Sequence, residues 1–162
     1  RQAIGATLDA YSASLLERGL KTFALRAAKM AANAMTVAEW LRVQPQISNL
    51  HYPGLPDEPG YDIARRQMHD GFGGLMAFDV GRSQEDAKRF ISALHVVVHA
   101  VSLGATESLI CIPYLTTMLY LPPERRTTFG VQANTVRLSL GIEPVDDIIR
   151  DLEQGLQEVK NH

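Results

Sequence analysis

Apolar and polar positions along the chain fall into two periods. From residue 22 to 42, Ala27, Met30, Ala31, Ala34, Val37, Ala38 and Leu41 recur at helical spacing, which predicts a long amphipathic helix. Its alanine content favours the helical state, and Trp40 within it is expected to pack in the core. A second helix is expected over residues 83–94, where Ala87, Phe90, Ile91 and Leu94 share a face. Ser83, with Asp86 three residues on, is close to a capping box. A third helix opens at Glu143-Pro144, since proline is tolerated in a first helical turn. Val145, Ile148, Ile149, Leu152, Leu156 and Val159 make its buried stripe, and Asp146 and Asp147 lie near its positive end.

The other period is two. Val136, Leu138 and Leu140 alternate with Arg137 and Ser139, which predicts a buried strand ended by Gly141. Further strands are expected over 44–51, with Ile47, Leu50 and Tyr52 inward, over 75–80, and over the valine-rich segment 95–103, read as buried. A loop over 52–60 is stiffened by prolines and hinged by glycines. A short helix over 61–68 and a turn over 69–74 follow. Residues 110–126 read as irregular, with two short helical turns. The sum is about four strands with helices between and after them. The expected fold class is α/β, a small sandwich of a mainly antiparallel sheet covered by helices on one face. Residues 1–19, with Ile4, Leu8, Leu15, Leu16 and Leu20 apolar, read as the end of a preceding unit, and 20–162 as one domain.

Composition narrows the function. The 162 residues are 46% hydrophobic and 21% charged, enough for one ordinary globular domain. A net charge of −2 with no basic block argues against a nucleic-acid binder. No apolar run has membrane-spanning length. The lone Cys111 leaves no internal disulfide or cysteine-based metal site, and a reducing, cytoplasmic setting fits. The chain starts at Arg1 rather than methionine, which suggests sequence upstream that has been removed or lies outside it.

Few residues carry candidate chemistry. His51, His69, His95, His99 and His162 are scattered and form no metal set. Gly71, Gly73 and Gly74 follow a helix and precede a strand, the reverse of a phosphate-binding fingerprint, and are expected to serve close packing. Cys111, between Ile110 and Ile112, is expected to be inert. Two polar positions remain. Arg137 is either an edge-strand arginine with its head in water or a fixed cation waiting for a carboxylate, which the guanidinium fork binds through two parallel hydrogen bonds. Ser102, before Gly104, either closes its own turn or joins Arg137 at that carboxylate. If the strands of Ser102 and Arg137 are neighbours, the second reading of each would make a substrate-anchoring site with no catalytic base in view.

Four stretches then occur in a telling order: Arg18-Gly-Leu-Lys-Thr22, His51-Tyr-Pro-Gly-Leu55, Ala100-Val-Ser-Leu-Gly-Ala-Thr-Glu-Ser-Leu109, and Val136-Arg-Leu-Ser-Leu-Gly-Ile-Glu143 with Asp151-Leu-Glu-Gln154 behind it. Over nearly its whole length the chain resembles the C-terminal part of the Cys/Met-metabolism family of pyridoxal-phosphate enzymes. That family includes cystathionine γ-synthase, cystathionine β- and γ-lyases, methionine γ-lyase and O-acetylhomoserine sulfhydrylase. The resemblance implies the C-terminal α/β domain of the aminotransferase-like fold. It implies that Arg137 grips the α-carboxylate of an amino-acid substrate, with Ser102 at the same group and Val101, Leu103 and Thr117 in the substrate pocket. It also implies β- or γ-elimination or replacement on cystathionine, methionine or O-acylhomoserine, and a homo-oligomer, the family's tetramer.

The resemblance further implies that pyridoxal 5′-phosphate is bound mainly by an N-terminal domain that this chain lacks. Lys21, Lys29, Lys88 and Lys160 do not stand in the family's Ser-x-Thr-Lys setting, so the chain alone is expected to be inactive. Val101 precedes the serine where several cystathionine-using members have glutamate, which leans towards methionine γ-lyase-like or sulfhydrylase-like specificity. Pro113-Tyr-Leu-Thr-Thr-Met118 departs from the family's Pro-Ala-x-Met-Thr-His: Thr117 matches the threonine, and Met118 replaces the histidine. The alternative class is a stand-alone, non-catalytic domain for small-carboxylate binding or assembly, with residues 1–19 as its contact.

Overall fold

The computed structural model describes residues 7–160. Ile4 and His162 lie outside them. Helices α1 (Ala10–Leu20) and α2 (Phe23–Leu41) are followed by strand β1 (Ile47–His51), helix α3 (Tyr61–Gln67), strand β2 (Leu75–Val80) and helix α4 (Gln84–Ser92). Strands β3 (Val98–His99) and β4 (Leu109–Cys111), a short 3-10 turn (Pro113–Leu115), helix α5 (Pro123–Thr128), strand β5 (Thr135–Ser139) and helix α6 (Val145–Lys160) complete the order.

The strands form one sheet in the order β1-β2-β5-β4-β3, antiparallel throughout except for the parallel β3–β4 pair at one edge. One face carries the core. Met76, Phe78, Val80, Ile110, Val136 and Leu138 point from it into a layer made by α2, α4 and α6. Each fully buried side chain of this size contributes on the order of 1.5–3 kcal/mol. Phe78 and Phe90 meet edge to face at 6.3 Å, which joins α4 to the sheet.

The predicted helices are present with the faces expected of them. In α2, Met30, Ala31, Ala34, Val37, Ala38 and Leu41 are buried, and Trp40 packs half-buried on the core. The α4 box is complete: Ser83 Oγ accepts from the Asp86 amide at 3.2 Å, while Asp86 Oδ2 accepts from the Ser83 amide at 3.0 Å. In α6, Ile148, Leu152 and Leu156 are buried, with Val145, Ile149 and Val159 against the same core. Small residues let α2 lie close to the 71–74 turn, where a side chain on Gly71 would press on Ala31 and one on Gly74 on Met30. Tyr52 is fully buried and donates to the Gly73 carbonyl at 3.0 Å; burial pushes its hydroxyl up to about 12.

Two strand expectations need correction. The valine-rich segment 95–103 is not a buried strand: only Val98 and His99 pair, at the sheet edge, and both are exposed. Its entry is held by a carboxylate instead. Asp151, buried in α6, accepts from the amides of His95, Val96 and Val97 at 2.7–3.0 Å, so these residues bond α6 rather than a neighbouring strand. The buried strand of this region is β4, in the stretch read as irregular, where Leu109, Ile110 and Cys111 lie between β3 and β5. The helical turns expected after it are the 3-10 turn and α5.

Candidate functional site

Arg137 sits in the middle of the middle strand. Its register partners are Ala77 of β2 on one side and Cys111 of β4 on the other. The edge-strand reading of this arginine is therefore excluded. Directly paired residues project to the same face, and alternation puts Arg137 opposite the core face occupied by Val136 and Leu138. Its side chain rises, half-buried, on the face that no helix of the core layer covers.

The guanidinium is held at one nitrogen. Arg137 Nη2 donates to the carbonyl oxygen of Val101, and to that of Ser102 at 3.2 Å. These carbonyls satisfy donors but carry no net charge. Among the described residues no carboxylate pairs with Arg137. The described bonds leave the Nε and Nη1 hydrogens, which point to different sides of the guanidinium, so each can donate singly to a carboxylate, while a two-pronged grip would also use Nη2. An arginine oriented by neutral acceptors is thus both fixed in place and electrostatically unsatisfied.

The other predicted residues are unevenly distributed. Ser102 and Val101 come to Arg137 through their backbones, along a connection that leaves β3 and folds back over the sheet. Their strand is not a neighbour of β5, because β4 lies between. The side chains of Val101, Ser102 and Leu103 are exposed on that connection. Thr117 is exposed in the turn after Pro113–Leu115, and no described hydrogen bond brings it to Arg137.

The connection is sewn down by residues that the sequence reading did not assign to a site. Glu143 accepts from the Ser108 amide at 2.5 Å and from the Ser108 hydroxyl at 2.9 Å. Ser108 Oγ in turn accepts from the Gly141 amide at 2.9 Å. The buried Asn33 side chain donates to the carbonyls of Gly141 and Glu143 at 3.0 and 2.9 Å, which ties this knot to α2. Gly141 has no room for a side chain: one would collide with the Thr106 carbonyl oxygen, Glu143 and Glu107. A glycine-then-glutamate pair just after a buried strand was the available signal. Its partners, 33 and 108, lie too far away in sequence for spacing to show.

Pyridoxal phosphate does not fit the described residues by themselves. Binding it takes a sheltered amine for its aldehyde and a carboxylate at its ring nitrogen. Lys21, exposed just past α1, and Lys88, exposed on α4, are ion-paired with Glu17 and Glu85, and Lys29 is exposed on α2. No described hydrogen bond or ion pair joins any of them to Arg137. Among the described residues no cluster of histidine, cysteine and carboxylate side chains could hold a metal ion, and no helix is long and apolar enough to cross a membrane. Cys111 is free and buried.

The model of the Cys/Met metabolism PLP-dependent enzyme family matches residues 1–157. L-methionine γ-lyase of Pseudomonas putida is 42% identical over 153 residues, which cover 94% of this chain and 38% of that protein. Cystathionine β-lyase of Lactococcus lactis is 37% identical, with 98% of this chain and 41% of that protein covered. Among solved structures, cystathionine γ-lyase from Lactobacillus plantarum complexed with L-serine superposes with a TM-score of 0.90 at 38% identity, covering 98% of this chain and 41% of that one. The chain thus spans about two fifths of the length of these relatives. With a family match over almost its entire length, and a fold and sequence shared with such enzymes, the chain belongs to the Cys/Met metabolism PLP-dependent enzyme family.

Proposed function

We propose that this chain is the substrate-side part of a pyridoxal-phosphate-dependent enzyme of sulfur amino-acid metabolism, and that Arg137 anchors the substrate α-carboxylate. The observation that carries this reading is the guanidinium on the central strand, which no carboxylate among the described residues pairs, oriented by the Val101 and Ser102 carbonyls and facing away from the helical layer. The relatives are named for reactions on methionine and cystathionine, which supports an amino-acid substrate of this class. The chemistry is β- or γ-elimination or replacement.

When bound, the cofactor supplies an electron sink for the substrate's carbanionic character. In this proposal the residues that hold it lie outside the chain, consistent with the exposed positions of the described lysines. This chain's own contribution is binding and orientation. A carboxylate held by a charge-assisted hydrogen bond from a guanidinium that is itself fixed loses rotational freedom, so the bond to be broken is presented in one direction. Val101 and Leu103, exposed beside the clamp, offer apolar contact to a substrate side chain.

The test is steady-state kinetics of the full-length protein with Arg137→Ala. Loss of a charge-assisted pair costs ~1.5–3 kcal/mol, so KM should rise on the order of tenfold to a hundredfold; unchanged kinetics would remove Arg137 from this role. A homo-oligomer is part of the same proposal. It draws on the exposed apolar residues Leu8, Tyr11, Leu15, Leu16, Leu20 and Phe23 along and beside α1. Light scattering of the full-length protein should give a multiple of the monomer mass, and a monomer would contradict it.

A further inference from the structure

Strand β5 carries more than the arginine. Besides the bonds of Arg137 itself, residues 139–143, between the end of β5 and α6, hold further ties of the 101–108 connection. The Gly104 amide donates to Ser139 Oγ at 3.0 Å. The Ile142 amide donates to the Thr106 carbonyl at 2.9 Å. The Gly141 amide donates to Ser108 Oγ, and Glu143 accepts from both donors of Ser108. The carbonyls that orient Arg137 therefore belong to a segment tied at 104, 106 and 108 to the end of the strand that bears Arg137 and to the turn after it.

Ser139 is the tie nearest to those carbonyls. Two residues along a strand, it projects from the same face as Arg137, and it is 3% exposed. The amide it holds belongs to Gly104, two residues past Ser102, at a φ of +71° that glycine adopts without strain. This turn reverses the connection directly after the two carbonyls. A buried hydroxyl that accepts the turn's amide sets where the turn lies above the sheet, and the turn sets where Val101 and Ser102 direct their oxygens. The hydroxyl reaches neither the guanidinium nor, by that route, a substrate.

We infer that Ser139 is a positioning residue for substrate binding: by holding the Gly104 amide, it keeps the Val101 and Ser102 carbonyls where they orient the Arg137 guanidinium. This inference rests on the proposed role of Arg137. An alanine at 139 leaves the Gly104 amide without its acceptor, and the turn moves to find water. Arg137 then keeps its charge and loses its fixed direction. A residue that only supported the fold would lower stability without regard to the presence of Arg137.

The experiment is a double-mutant cycle in the full-length protein, read as KM and kcat for the amino-acid substrate with melting temperature alongside. An unmet buried hydrogen bond corresponds to about a tenfold effect, so Ser139→Ala should raise KM about tenfold and leave kcat within roughly threefold. On an Arg137→Ala background the same substitution should change KM by less than about twofold, because the group it acts through is gone. Ser139→Cys, similar in size and a poorer acceptor, reads the same quantity where the alanine does not fold. A folded Ser139 variant with unchanged KM, or one whose full effect persists on the Arg137→Ala background, overturns the inference while leaving Arg137 as the anchor. An Arg137→Ala protein with unchanged KM overturns the anchor itself, and the inference with it.

Discussion

Cys111 and Arg137 are paired residues of neighbouring antiparallel strands, and their side chains leave the same face of the sheet. The chain's one thiol is thus set in the row that carries its central cation, yet it is fully buried. A thiol reagent should reach it only when the sheet opens. Under native conditions Cys111 should react slowly, at a rate that rises with denaturant together with unfolding. Prompt, stoichiometric labelling of the native protein would contradict this placement.

The α4 cap gives a prediction in pH. Hydrogen bonds to Asp86 Oδ2 hold its carboxyl below the usual aspartate range, that from the Arg82 amide first and then that from the Ser83 hydroxyl. A carboxyl whose pKa is lower in the folded state stabilises the fold above its ordinary value of 3.8, and that contribution is lost as pH falls through the folded value. Asp86→Asn should cost about 0.5 kcal/mol at pH 7, a small figure because the cap faces solvent. The difference from the parent protein should shrink in thermal melts below about pH 4. An equal cost at acid and neutral pH would mean that the carboxylate charge is not what the cap uses.

Much of the fold was legible where the evidence is local. Helices α2, α4 and α6 each announce a face by spacing, and Ser83 and Asp86 announce a start three residues apart. Strand β5 could be read because Val136, Leu138 and Leu140 alternate with polar residues. The order of strands was not legible, and it produced the errors at β3 and β4. Three valines in 96–98 suggest burial, but what decides that segment is Asp151, more than fifty residues away, which takes up the amides a strand would use. Three residues of β4 are too few to show a period. At the site, Arg137 was visible because a cation in an apolar strand demands a partner. Its orientation by two carbonyls could not be read, since backbone acceptors leave no trace in residue type. Ser139 was visible only as an alternating polar residue, and its meaning appears once Gly104 is found against it.

The account turns on Arg137 as a carboxylate anchor, and the most direct measurement is a crystal structure of the full-length protein with an amino-acid substrate analogue bound. The carboxylate oxygens should lie about 2.7–2.9 Å from the Nε or Nη1 atoms of Arg137, with Nη2 still on the Val101 and Ser102 carbonyls. An analogue whose carboxylate is held elsewhere, with the Nε and Nη1 donors of Arg137 left in water, would contradict the account.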